Sequence, residues 1–294
     1  MPLTPDHFAG CLIGQCVGDA IGMPVEGQPR MIASMWVDDF RFDGVRLFEE
    51  LPIPAGQYTD DSQLARELAI SCVECRGFDP ADYARRIARI FEEHRVVGRG
   101  KATTRAAERL IAGAHWETAG EPSPAAGNGT AMRAAPVGLL FARDHAALAR
   151  AAHLQGYCTH QDARCSAGSV AIAMAAALAM TEATIEPVRF CERIAAAMDP
   201  YDRSFANLVR SLPPILGAGM DEALQQIAPA GLDEQDLETQ PYDWSEISPF
   251  VIPSVLWSLT AFLSEPDDFL ESIYLAIEPG GDVDTTAAMT GAIS

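Results

Sequence analysis

Apolar positions recur at three- and four-residue spacing along most of this chain, as in helices that bury one face. A first helix is predicted from Asp6, read as its N-cap, to about Met23. Further helices are predicted over residues 61–76, 80–94, 101–113, 130–142, 144–156, 163–181, 187–198, 202–211, 219–228, 249–263, 266–277 and 284–293. Asp79-Pro80 and Glu186-Pro187 are start signals, because a proline in the first turn has no N–H to leave unpaired. In the first helix Gly10, Gly14, Gly18 and Gly22 return every four residues. Each costs about 1 kcal/mol of helix propensity against alanine. The expected compensation is another helix backbone packed closely along the glycine stripe, with Gly22 near the helix end. Alternation of period two is weak and confined to 35–42 and 45–51, and no strand–helix–strand rhythm appears. The fold class is therefore all-α, with a single domain over 1–294. Residues 115–130 and 229–248 read as loops, the second acidic and taken as solvated surface rather than a lid.

Composition narrows the partners. The chain has 294 residues, 48 % of them hydrophobic, and a net charge of −20. So acidic a protein is a poor ligand for nucleic acid or an anionic membrane, so no stable nucleic-acid binding and no membrane association are expected. A small phosphate-bearing ligand remains compatible, held by a metal ion or by backbone N–H groups. Seven scattered cysteines, an odd number, suggest reduced thiols and a cytoplasmic home. The N-terminal stretch lacks a basic region and carries Asp6 and Asp19, against a signal peptide. Ala167–Thr181, at fifteen residues, falls short of the ~20 that cross a bilayer and reads as a core helix. A monomer is expected.

Two acidic clusters carry the candidate chemistry: Thr59-Asp60-Asp61-Ser62 and Asp282-Val283-Asp284-Thr285-Thr286, each at a predicted helix start. Singly, each is ordinary capping. Together they form a set of hard oxygen donors suited to Mg²⁺, Mn²⁺ or Ca²⁺. Gly280 and Gly281 permit tight backbone approach beside the second. Carboxylates converging without cations would repel, so two divalent ions are the natural complement if the clusters meet.

Five ordered motifs then give a resemblance over nearly the whole chain: GCLIGQCVGDAIGMPVEG, GQYTDDSQLA, GNGTAMRAAPVG, Thr159-His160 and GGDVDTTAAMTGA. The chain resembles the ADP-ribosylglycohydrolase family. The resemblance implies a multi-helix orthogonal bundle with a central di-metal site holding two divalent cations, Mg²⁺ or Mn²⁺. Matched by motif, the metal ligands are Thr59, Asp60, Asp61, Asp282, Asp284 and Thr285. Glu26, with Asp60, Asp61 and Asp284, forms the catalytic set, Glu26 positioning water or substrate. Gly127, Asn128, Gly129, Thr130, Met132 and His160 match the substrate-binding positions, with Arg133 as support. The implied reaction is hydrolysis of an ADP-ribosyl linkage on a protein or small conjugate, arginine first among acceptors, with ADP-ribose as product. Serine, O-acetyl-ADP-ribose or a nucleic-acid base are the alternative linkages.

Departures from the family pattern are few. Ser62 replaces the usual Thr and keeps the hydroxyl. Ala125 and Ala126 stand where some members carry an acidic residue or a Ser-Tyr pair, which shifts weight to Glu26 and argues against a serine-specific subgroup. The chain ends at Ser294, soon after the last motif, where relatives usually continue, so a trimmed C-terminus is an expectation. Three other readings are set aside. DVDTT matches a dehalogenase-type phosphatase motif, but that motif needs a preceding strand and a long core after it, and only eight residues follow here. Cys72 and Cys75 have no second pair to complete a zinc site, and Cys158, His160 and Cys165 lack a fourth ligand. A non-catalytic, crystallin-like or ADP-ribose-binding relative is disfavoured because every ligand position is retained.

Overall fold

The computed structural model describes residues 3–44, 51, 53, 54, 56–232, 236 and 246–294. In chain order the helices are α1 Pro5–Gly22, α2 Arg30–Asp43, α3 Asp60–Glu74, α4 Pro80–Glu92, α5 Lys101–Ile111, α6 Trp116–Ala119, α7 Ala135–Leu140 and α8 His145–Tyr157. They continue with α9 Ala163–Thr181, α10 Pro187–Met198, α11 Arg203–Arg210, α12 Met220–Ile227, α13 Val251–Ser264, α14 Phe269–Ile277 and α15 Val283–Ile293. No strand occurs among the described residues, only four isolated bridges, so the all-α expectation holds.

The first and last helices form the most extensive helix pair. A Cβ at Gly14 would lie 2.2 Å from the Gly291 carbonyl oxygen, one at Gly18 2.1 Å from that of Ala287, and one at Gly22 2.6 Å from Asp284 Cα. Only glycine allows that approach, which accounts for three of the four repeated glycines. Gly10 meets nothing within 4 Å and has no such role. Around this pair, α9 is the central rod. Fifteen of its nineteen residues are buried, many of them alanine, so neighbouring helices pack close to its axis. Fully buried side chains such as Leu64, Leu68, Ile87 and Leu148 each contribute about 1.5–3 kcal/mol by leaving water. A smaller cluster, with Val37, Phe40, Ile273 and Ile277, holds α2 against α14.

Several expectations are corrected. Residues 35–42 are helix: Ala33, Val37 and Phe40 line one buried face at helical spacing, which outweighs the strand-like alternation of aromatics. Residues 45–50 lie outside the described residues, as do 233–235 and 237–245 of the acidic loop. The first helix starts at Pro5 with Thr4 as N-cap, not Asp6, and the Thr4 N–H donates to His7 Nδ1 at 3.1 Å. The helix expected at 130–142 is reduced to α7, preceded by a 3₁₀ turn at Asn128–Thr130. The apolar stretch 167–181 lies inside α9, whose nineteen residues match the helix predicted over 163–181. That helix and Pro5–Val25 are long and apolar enough to cross a bilayer by length and composition, but 83 % of α9's apolar window is buried inside the protein.

Among the described residues, six helices begin with an acidic residue that caps its own first turn: Asp79, Asp144, Asp162, Glu186, Asp202 and Asp268 each accept one or two backbone N–H bonds. Such caps contribute ~1 kcal/mol each, and part of the acidic surplus is used in this way. The starts of α3 and α15 do not follow the rule. Neither the Thr59 nor the Asp282 side chain caps its helix, although each occupies the N-cap position.

Candidate functional site

The uncapped starts of α3 and α15 face each other beneath the C-terminal end of α1. Glu26, Asp282 and Asp284 bring carboxylate oxygens within 4.8 Å of one another. Asp61 lies within electrostatic reach of Asp282 and Asp284, so the two acidic motifs meet. Asp60, Asp61, Asp282 and Asp284 are buried, whereas Glu26 is open to solvent at the rim. Gly280 and Gly281 make the second motif possible. Both have positive φ, at 78° and 87°. A Cβ at Gly281 would sit 2.1 Å from the Ile247 carbonyl oxygen, and one at Gly280 2.7 Å from the Arg30 nitrogen. The bridges Pro29–Gly280 and Ile247–Gly281 then tie the loop of Glu26 and the approach to α13 to that turn.

The electrostatics follow from burial. Loss of hydration, then neighbouring carboxylates, holds Asp60, Asp61 and Asp284 well above the usual carboxylate range. Burial, then the charge of Glu26, pushes Asp282 up to about 7, opposed by a hydrogen bond from Asn128. Partial desolvation, then the charge of Asp19, raises Glu26. One buried oxygen, Asp61 Oδ1, has no hydrogen-bond partner. An all-oxygen set with an orphaned buried carboxylate oxygen and mutually repelling charges suits a hard divalent cation, which would satisfy all three features at once.

The GNG segment, 127–129, lies beside this cluster. The Asn128 side chain donates to Asp282 Oδ2 and, at 2.9 Å, to Ser254 Oγ. Its amide is thus engaged in orienting Asp282. The segment is fixed by the bridge Gly127–Phe250 and by Asn128 N–H to the Pro249 carbonyl at 3.0 Å. His160 closes over it: a Cβ at Gly129 would lie 3.0 Å from His160 Cε1, so a small residue is needed there. Burial, then the nearby Arg133, pushes His160 down to about 3, so its ring is neutral. His160 Nδ1 is 2.9 Å from Thr159 Oγ1, which also accepts from Arg133 Nη2 at 2.7 Å and donates to the Gly156 carbonyl at 3.1 Å. That pattern makes Nδ1 the protonated nitrogen and leaves Nε2 an acceptor.

Thr130 and Met132 are buried. Thr130 is fully buried with its hydroxyl on the Cys165 carbonyl at 2.7 Å, and the Met132 carbonyl accepts from Gln15 at 2.9 Å. Arg133 is a support, fully buried, bound to Gln155 and Thr159 and set over the Tyr83 ring at 5.5 Å. Cys158 and Cys165 donate to backbone carbonyls, and burial raises both thiols, so packing accounts for them. Sequence reasoning gave no part to Gln15 or Ser254. Their signal is three-dimensional, since each reaches residues more than forty positions away.

Comparison with known proteins agrees with this geometry. The ADP-ribosylglycohydrolase family model matches residues 2–294. An uncharacterized protein of Archaeoglobus fulgidus is 32 % identical over 295 residues, covering 98 % of this chain and 86 % of the relative. The ADP-ribosylhydrolase ARH3 of Danio rerio is 27 % identical over 324 residues, covering 98 % and 81 %. The ADP-ribosylarginine hydrolase Tri1 of Pseudomonas putida is 29 % identical over 314 residues, covering 99 % and 71 %. A solved structure titled ADP-ribosylglycohydrolase-related protein complex superposes with a TM-score of 0.65 at 30 % identity, over 98 % of this chain and 86 % of that one. The helical fold, the meeting of both acidic motifs and a family match over almost every residue together establish that the chain belongs to the ADP-ribosylglycohydrolases, hydrolase enzymes that remove ADP-ribose.

Proposed function

We propose that the chain is a divalent-cation-dependent hydrolase that releases ADP-ribose from a modified arginine. The observation that carries this reading is the convergence of Glu26, Asp282 and Asp284 with the buried Asp61 and Thr285. Thr59, Asp60 and Asp61 from α3, with Asp282, Asp284 and Thr285 from α15, would hold two ions, Mg²⁺ or Mn²⁺. Held by these residues, divalent cations would supply positive charge for the distal ribose hydroxyls and for lowering the pKa of the attacking water.

The chain's own residues do the rest. Glu26, at the rim with its affinity for protons raised, is suited to take a proton from the water that attacks C1″. Asn128 keeps Asp282 aimed inward. The glycines of the 127–129 segment let an ADP-ribose approach the backbone, and the pyrophosphate can rest on backbone N–H groups, as suits a protein of net charge −20. His160, neutral and with Nε2 free to accept, offers an uncharged wall. Arginine is placed first because of the likeness to an ADP-ribosylarginine hydrolase and because Ala125-Ala126 stand where serine-type members carry Ser-Tyr.

The test is release of ADP-ribose from arginine-, serine- and nucleic-acid-linked substrates, each with and without EDTA. The expected result is EDTA-sensitive release, fastest from arginine. Equal rates after exhaustive chelation would remove the cations from the reading, and preference for another linkage would remove the arginine.

A further inference from the structure

Asp19 belongs to no ligand set named above, yet it is fully buried at the edge of the acidic cluster. Both of its oxygens are occupied by the start of α3. Oδ1 accepts from the Thr59 N–H at 2.9 Å and the Thr59 hydroxyl at 3.0 Å. Oδ2 accepts from the Ser62 N–H at 3.1 Å and the Ser62 hydroxyl at 2.6 Å. Ser62 is the third residue of α3, whose N–H an N-cap side chain normally receives. The cap of α3 is thus supplied through space by α1. The Thr59 side chain caps nothing itself, and its hydroxyl lies between Asp19 Oδ1 at 3.0 Å and Asp61 Oδ2 at 3.1 Å. One turn earlier on α1, Gln15 Nε2 donates to the Asp61 carbonyl at 3.1 Å, pinning the same turn from a second point. The glycine contact that sets α1 against α15 fixes Asp19 relative to Asp284.

Resting on the reading that Thr59, Asp60 and Asp61 hold divalent cations, we infer that Asp19 is a positioning residue, a carboxylate that replaces the α3 cap and so holds those three side chains in ligating register without itself binding an ion. The four donors on its two oxygens leave it no direct role. Its effect should appear in cation affinity, where losing an outer partner of a metal ligand typically costs about 10–100-fold.

The experiment is a titration with Mn²⁺ alone, free ion read by electron paramagnetic resonance, on the intact chain and on Asp19→Asn and Ser62→Ala, with thermal melts of each. Asp19→Asn sets an amide N–H against a backbone N–H of α3. It is expected to melt cooperatively yet bind Mn²⁺ about 10–100-fold more weakly, with part of kcat restored at saturating Mn²⁺. Ser62→Ala, which removes one donor, is expected to shift affinity in the same direction by less. Unchanged Mn²⁺ affinity in both, with only the melting temperature lowered, would make Asp19 a structural cap and overturn the inference. If Asp19→Asn does not fold, Ser62→Ala decides on the same criterion. An unaltered protein that binds no Mn²⁺ overturns the cation reading and this inference together, whereas a missing shift in the variants overturns this one alone.

Discussion

The starts of α11 and α15 differ in one respect that separates scaffold from site. At α11, Asp202 turns its carboxylate onto the helix it begins, accepting the Phe205 N–H at 2.9 Å. At α15, Asp282 occupies the same N-cap position but turns away, toward Asn128 and the carboxylates of Glu26 and Asp284. The local sequence signal is the same, an aspartate ahead of a helical run. The difference is that Asp202 satisfies the backbone beside it, while Asp282 is placed among carboxylates whose burial and mutual repulsion oppose ionisation. An acidic residue that forgoes its cap to join like charges fits the proposed cation site.

The largest way to test that contrast is to remove a carboxylate of the centre. Asp284→Ala and Asp60→Ala are each expected to slow ADP-ribose release by at least ~10²-fold, while far-ultraviolet circular dichroism stays helical. Activity close to the unaltered level in either would remove the centre from the reaction. Next is the cation itself. Mn²⁺ or Mg²⁺ at about one hundred times its dissociation constant should stabilise the protein by ~2.7 kcal/mol, read as a higher melting temperature that Asp284→Ala lacks. An equal rise in both proteins would assign the effect to another site.

The third prediction concerns pH, without cations. Asp282 is raised from 3.8 to about 7, so the folded state holds its proton more tightly than the unfolded chain. The stability this confers is full below pH ~4 and lost as pH rises through 7. Asp282→Asn lacks that loss, so the melting temperature of the variant minus that of the unaltered protein should grow between pH 5 and pH 8. A constant difference would show that Asp282 is not perturbed. The smallest effect belongs to the ordinary cap: Asp202→Ala should cost ~1 kcal/mol in denaturant unfolding and leave ADP-ribose release unaltered. A drop in release would erase the distinction between the two helix starts.

Much of the fold was legible because helical periodicity is a local signal. The starts at Pro80 and Pro187 lie where the sequence puts them, and α9 matches its predicted bounds. What failed locally was α2, where Met35-Trp36-Val37 and Phe40-Arg41-Phe42 imitate strand alternation, and only packing of Val37 and Phe40 against α14 decides for helix. The glycine repeat announced a close helix contact but not its partner, because Gly291 and Ala287 lie at the other end of the chain. Likewise, the two acidic motifs read singly as caps, and only the family resemblance joined them. The tasks of Asn128 and Asp19 were hidden, since each is defined by a neighbour distant in sequence: Asn128 and Asp282 are 154 positions apart.

The contact between α1 and α15 also sets an order of events during synthesis. The glycine face of α1 leaves the ribosome early and must wait for its partner until almost every other helix has been made. Until α15 arrives, Asp19 and the α3 start lack the facing carboxylates, and the proposed cation site is incomplete. The centre is therefore a late-closing clasp, and an arrested or 3′-truncated translation product, however well its remaining helices pack, is a silent one.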